Sequence, residues 1–285
     1  MKNVACRMVR NGAASEPDKR LRSLNKTLAR QIEQETEKRM LQERLLIQQS
    51  RLAAMGEMIG VIAHQWRQPL NALAVMIQNI QDAYEFGDLD QSFIEDTVQR
   101  SMQQIYHMSK TIDDFREFSR SGIPRDFFEA RKAINDVLVL LSGLFTSHNI
   151  VVEPVSELAG AHPVRIMGCC NEFKQAIFNL LKNAHDAILE RREKGELGGQ
   201  GRVVVAITGS AEYVTITVSD NGGGIPAEIV DRIFDPYFST KDQGKGNGVG
   251  LYMSKLIIEN SMKGCLYAQN LQDGAMFTVE LAAAG

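Results

Sequence analysis

The sequence predicts an α+β protein in which a long N-terminal coiled-coil helix and a helical hairpin precede an α/β-sandwich domain. Three observations carry this reading. Apolar residues keep a heptad repeat from Leu45 to Ala83. The stretch 120-RSGIPRD-126 then breaks the helical texture with glycine, proline and charge. Beyond it, helical and strand-like runs follow one another without strict alternation, which favours helices on one face of a mixed sheet over a doubly wound fold.

The composition narrows the class. The 285 residues carry a net charge of -3 and 44% hydrophobic residues, ample for a buried core. No basic block suits nucleic acid, and no apolar run reaches the roughly eighteen residues of a membrane span. Cys6, Cys169, Cys170 and Cys265 show neither a C-x-x-C spacing nor a disulfide pattern, so they read as reduced thiols of a cytoplasmic protein. The start, MKNVACRMVR, is too polar in its middle for a secretory signal.

The elements follow in order. Residues 1–15 are unpatterned or begin the helix. Residues 16–51 are charged and glutamine-rich, with Leu21, Leu24, Leu28 and Ile32 forming a narrow apolar stripe. A coiled-coil signalling helix is expected there, a solvated single helix being the alternative. With Leu45 at position a, the a series runs Leu45, Leu52, Ile59, Trp66, Leu73, Ile80. The d series runs Gln48, Met55, Ile62, Pro69, Met76, Ala83. Such a helix buries this face against other helices. His64 falls at position f, away from the seam, where it faces water or a partner. Pro69 removes the hydrogen bond to the Gln65 carbonyl and is expected to bend or loosen the helix.

The segment 85-EFGDLD-90 has the residues of a short turn. A second amphipathic helix runs to about Ser119, with Ile94, Val98, Ile105, Met108, Ile112 and Phe115 on one side. Two helices cannot enclose a core alone, so residues 52–119 are expected to pair with a second copy in a four-helix bundle, an obligate homodimer. Residues 120–126 read as a linker. Residues 127–285 read as the mixed domain, with helices at about 130–147 and 170–193 and strands at 149–153, 202–208, 213–219 and 275–281.

The motifs with chemistry lie in this domain. In 220-DNGGGI-225, an aspartate at a strand end can accept a hydrogen bond from an exocyclic amine such as that of adenine, and the glycines let backbone approach a ligand. In 244-GKGNGVGL-251, alternating glycines open a helix and offer free N–H groups to phosphate. The spacing fits neither a Walker A loop nor a Rossmann fingerprint. Asn179 and Asn183 stand one helical turn apart, and amide oxygens suit a hydrated Mg²⁺. Between the glycine motifs, 234-FDPYFSTKDQ-243 reads as a flap hinged on Phe234 and Phe238, with Lys241 placed to meet a terminal phosphate. Each of these motifs alone is also compatible with a plain turn, a polar helix face or a solvated lysine.

In this order, residues 52–285 resemble the catalytic core of a sensor histidine kinase of a two-component system. His64 stands in an H-Q-W-R-Q-P-L-N box, Asn179 to Asn183 in the N box, and Asp220-Asn-Gly-Gly-Gly in the first glycine box. Phe234 and Phe238 match the F box, Gly246-x-Gly248-x-Gly250-Leu251 the second glycine box, and Gly274 to Phe277 loosely a third. The resemblance implies an ATP-binding domain of the type shared with gyrase, heat-shock protein 90 and mismatch-repair ATPases. It implies that Asp220, with Gly222 and Gly224 beside it, receives the adenine amine, that Asn183 is a Mg²⁺ ligand, and that the second glycine box wraps the phosphates. It further implies transfer of the γ-phosphoryl group of ATP to His64 and onward to an aspartate of a response regulator.

Two positions depart from the family pattern. Gln65 replaces the acidic residue that commonly follows the phosphoacceptor; it can orient the ring but cannot act as a base at neutral pH. Gln68 stands where the phosphatase pattern has threonine or asparagine. Two rival readings are an ATP-hydrolysing machine on the same fold and an inactive scaffold. Asn179 opposes the first, since it holds the place of a water-activating glutamate; the intact glycine boxes, Asn183 and His64 oppose the second. Input is expected either from a partner protein or from an upstream sensor domain of a longer receptor, transmitted as a shift of the packed helices.

Overall fold

The computed structural model describes residues 16–119, 125–158, 164–210, 212–240 and 248–283. The chain divides into two compact units, Met1–Gln48 and Gln49–Gly285. In the first unit the helix α1 (Glu16–Phe86) begins, and Leu21, Leu24, Leu28 and Ile32 all stand more than half exposed. The apolar stripe of that unit is therefore uncovered along its length.

In the second unit α1 continues unbroken through Pro69, which is buried. It stops at Gly87, whose φ of 78° reverses the chain. The Asp88 N–H then donates to the Ala83 carbonyl at 2.8 Å and the Gly87 N–H to Tyr84 at 3.4 Å, the paired bonds of a Schellman stop. Asp90 caps the next helix, α2 (Gln91–Ser119), by accepting the Phe93 N–H at 2.7 Å. The expected hairpin turn is thus built from both helix ends.

Two stripes of α1 are distinguishable. Positions a and d carry exposed Leu52 and Ile59 and half-buried Ile62, Trp66 and Leu73, and α2 exposes Ile94, Val98 and Ile105 beside them in character. Positions c and g carry Ala54, Met58 and Val61, which are buried in the same core as the helices of the following domain.

That domain opens on β1 (Asp126–Glu129), at the last residue of the expected linker. There follow α3 (Ala130–Ser147), β2 (Ile150–Leu158), β3 (Arg165–Gly168), α4 (Cys170–Glu193), β4 (Gly201–Gly209) and β5 (Tyr213–Asp220). The chain closes with α5 (Gly250–Leu256), a π-helical turn at Ile257–Ser261, β6 (Cys265–Asn270) and β7 (Ala275–Ala282). Strands β1 and β3 form a small antiparallel pair. The main sheet has the order β2-β4-β5-β7-β6, parallel between β2 and β4 and antiparallel elsewhere.

Alternation explains the layering. Val203, Val205 and Ile207 on β4 and Val214, Ile216 and Val218 on β5 are fully or almost fully buried. They meet Phe173, Ile177, Leu180, Leu181 and Ile188 of α4 in one apolar cluster. The expected mixed sheet with helices packed on it is what forms. The pair β1–β3 and strand β6 were not anticipated.

Candidate functional site

The open end of this layer, between α4, the loop after β5 and the start of α5, holds a cavity of about 520 Å³. Asn179, Asn183, Asp220, Gly222, Gly224, Phe238, Gly248, Gly250 and Leu251 all line it. Residues up to 72 positions apart in sequence therefore share one site (179 to 251). Phe234 lies behind the wall, edge-on to the lining residue Phe277 at 6.4 Å and beneath the Lys255 ammonium at 4.7 Å. Lys241 and Gly246 are outside the described residues. His64 lies in α1, but its side chain is likewise outside the described ones. Among the described residues, none of α1, α2 or α3 lines the cavity.

Asp220 ends β5 almost buried. One carboxylate oxygen, Oδ1, accepts the Gly222 N–H at 2.8 Å and the Ala275 N–H at 3.4 Å. The other, Oδ2, has no hydrogen-bond partner among the described residues, and Asp220 lines the cavity. Burial raises its pKa above the ordinary carboxylate value, while the Gly222 and Ala275 amides work in the opposite direction. The result is one acceptor oxygen held rigid and one left to receive a donor.

The two asparagines of α4 differ. The Asn179 amide donates to the Gly250 carbonyl at 3.0 Å and to Ser254 Oγ at 3.3 Å, bolting the first turn of α5 to α4. Asn183 makes no side-chain hydrogen bond among the described residues, so its amide oxygen is available to a cation. No cluster of three or more His, Cys, Asp and Glu that could hold a metal exists among the described residues. An amide oxygen of this kind is a donor that suits a hydrated Mg²⁺, which keeps water and takes phosphate oxygens. Gly248 has φ of 65°, and a Cβ there would meet the Tyr237 carbonyl carbon at 2.5 Å, so only glycine closes this turn.

Sequence reasoning missed other lining residues: Lys182, Asp186, Glu190 and Arg191. Helical spacing from Asn179 and Asn183 places them on the same face of α4, a signal that was present. Lys182 is ion-paired with Asp186, whose carboxylate also meets His185 Nδ1 at 2.8 Å. Burial lowers the pKa of His185, against the opposing pull of Asp186, so the ring is neutral near pH 7. The Glu190 carboxylate is paired with Lys194 at 2.7 Å.

Gln65 has a partner that does not line the cavity. Its Nε2 donates to the Leu140 carbonyl of α3 at 2.9 Å, and a Cβ on Gly143 would fall 2.6 Å from its Cγ. Gly143 thereby admits the glutamine against the helix.

Known proteins carry the same pattern. Residues 54–122 match the His Kinase A (phospho-acceptor) domain, and residues 170–285 match the histidine kinase-, DNA gyrase B- and HSP90-like ATPase domain. The two-component sensor PprA of Pseudomonas aeruginosa is 32% identical over 83% of this chain, and sporulation kinase A of Bacillus subtilis 27% over 76%. The chain spans only 25% and 33% of the length of these two relatives. The solved catalytic domain of the histidine kinase ThkA is 27% identical, covering 56% of this chain and 96% of its own with a TM-score of 0.48. No described helix is long and apolar enough to cross a membrane. With its phosphoacceptor and ATP-binding domains in this order, the chain belongs to the sensor histidine kinase family and carries that family's catalytic core.

Proposed function

We propose that this chain transfers the γ-phosphoryl group of ATP to His64 and then to an aspartate of a response regulator receiver domain. The observation that carries the reading is the single cavity shared by Asp220, Asn183 and the glycine motifs, in a chain that also bears a phosphoacceptor hairpin. Asp220 would accept the adenine amine, and Asn183 would hold Mg²⁺, which supplies charge neutralisation at the phosphates when bound. Gly246, Gly248 and Gly250 would bring backbone N–H groups to the phosphates, and Lys241 a positive charge to the last of them. The neutral His64 imidazole would attack the γ-phosphorus, forming an N–P bond as the bond to the ADP oxygen breaks. Its ring proton would leave to solvent, since Gln65 is not a base.

The rival ATPase reading needs a carboxylate poised on water. Asn179 occupies that place and is tied to Gly250 and Ser254, while Asp186 and Glu190 are each ion-paired. The exposed a and d residues of α1 and the apolar side of α2 support a four-helix bundle with a second copy, and a cytoplasmic setting suits the chemistry.

Incubation with γ-labelled ATP and Mg²⁺ tests the proposal. Acid-labile, base-stable label is expected on the protein, and none on His64→Ala or Asn183→Ala. Label persisting on His64→Ala would sink the assignment, and phosphate release without protein label would favour the ATPase.

The contact of Gln65 adds a second expectation. Among the described residues none of α1 lines the cavity, so in this reading the ATP-binding domain leaves α1 and re-docks before phosphorylation. The Gln65–Leu140 bond holds the departing surface. Its loss, about 1 kcal/mol, should shift the docked-to-released balance roughly fivefold. Gln65→Ala is therefore expected to raise the initial labelling rate, and Gly143→Leu, which expels the glutamine without replacing it, to do the same. A fall in rate with Gln65→Ala alone would instead assign the glutamine to orienting His64.

A further inference from the structure

The three glycines after Asp220 leave the loop that carries the base-reading carboxylate with little stiffness of its own. Gly223 and Gly224 take φ of 94° and 83°, and glycine loses more backbone freedom on ordering than any other residue. Yet the loop is gripped at both ends. At its start, Arg191 Nη1 donates to the Asn221 carbonyl at 2.9 Å and to the Asp273 carbonyl at 2.8 Å. The same Asp273 carbonyl accepts the Gly223 N–H at 3.0 Å. At its finish, Asn270 makes a two-way bond to Ile225, donating to its carbonyl and accepting its N–H, both at 2.7 Å. Helix α4 and the β6–β7 turn thus close on the loop from two sides, and the Arg191 side chain is four-fifths buried in doing so.

The chemistry of the brace is specific. One terminal amino group of the planar guanidinium serves both carbonyls, one with each N–H, and both bonds are charge-assisted. None of these groups satisfies Asp220 itself. They hold the loop whose Gly222 N–H fixes Oδ1, and so fix where the free oxygen stands.

We infer that Arg191 and Asn270 are positioning residues for base recognition, which lock residues 221–225 so that Asp220 discriminates the amino group of adenine from the carbonyl of guanine. This rests on the ATP-binding reading given above. A loose loop would let the carboxylate retreat from a guanine O6, its electrostatic misfit, and follow an adenine amine less closely. The brace therefore affects the difference between the two nucleotides more than binding as such.

The test is calorimetric binding of ATP and of GTP, each with Mg²⁺, to the full chain and its variants. Arg191→Met is expected to weaken ATP about tenfold and GTP far less, since a small misplacement of an oriented group costs one to two decades. The preference for ATP should shrink accordingly, and labelling kinetics should show the loss in KM for ATP far more than in kcat. Arg191→Lys, which keeps the charge and loses the planar, fixed pair of N–H donors, should fall between parent and Met variant. Should Arg191→Met fail to fold, Asn270→Ser carries the same expectation. Equal losses for ATP and GTP, or a lower melting temperature with the preference intact, would overturn the inference by making the brace merely structural. Absence of ATP binding by the parent chain would instead remove the functional reading on which it rests.

Discussion

Gly274→Ala is expected to abolish ATP binding. A Cβ at this position would lie 1.8 Å from the Asp220 carbonyl oxygen, 2.6 Å from its carbonyl carbon and 3.0 Å from Asn221 Cα. All three are backbone atoms, so no side chain can swing aside. Either the end of β5 or the start of β7 must move, and each carries the site. Movement of β5 displaces Asp220; movement of β7 withdraws the Ala275 N–H that bonds its Oδ1 and breaks the turn closed by the Leu271 N–H to the Gly274 carbonyl at 2.7 Å. Overpacking of side chains costs about 1–3 kcal/mol, and a clash confined to backbone should exceed that range. Thermal unfolding and nucleotide titration of Gly274→Ala should both show the loss. Gly198→Ala is the control, since nothing lies within 4 Å of its Cβ; if the two variants behave alike, the close approach has no consequence.

The same glycine shows how far the sequence could be read. As a loose third glycine box Gly274 was visible by its place in the order of motifs, but the reason for it was not, because the clash is with a residue 54 positions earlier (274 to 220). Long periodic elements were legible: the helices expected at about 130–147 and 170–193 are α3 and α4. The missed strands lack the signal that alternation needs. β1 and β3 have four residues each. β6 reads CLYAQN, in which outward-facing Cys265 and Tyr267 carry no charge and are largely apolar, so they contrast weakly with buried Leu266 between them. The heptad marks the a and d positions of α1 but not the second stripe, since Ala54, Met58 and Val61 are modest apolar residues whose purpose depends on a domain many residues later. Spacing along α4 placed Arg191 on the lining face, but its bracing role was out of reach for a related reason: its partners are backbone carbonyls, and every residue has one.

Asp220→Asn should separate what the site does for function from what it does for stability. The substitution keeps the shape and leaves an Oδ1 for the Gly222 and Ala275 amides. It replaces the free carboxylate oxygen with an NH₂ group, which faces the adenine amine donor to donor. A charge-assisted bond is lost and a polar conflict added, so ATP affinity should fall on the order of a hundredfold. Guanine presents an acceptor at the same place, so the ATP-to-GTP preference should narrow or reverse. Stability should move the other way. Burial raises the folded-state pKa of Asp220 above its unfolded value, so its contribution to stability is fully present below the ordinary carboxylate pKa and is lost as pH rises through the raised one. At neutral pH the parent therefore folds against a desolvated charge that the asparagine variant lacks. Asp220→Asn should melt at a higher temperature than the parent near pH 7, and the gap should close as pH falls through the raised pKa and the parent carboxyl takes up its proton. Melting curves across that range decide the matter: a variant less stable than its parent at neutral pH would mean that the two amides stabilise the carboxylate by more than burial costs it.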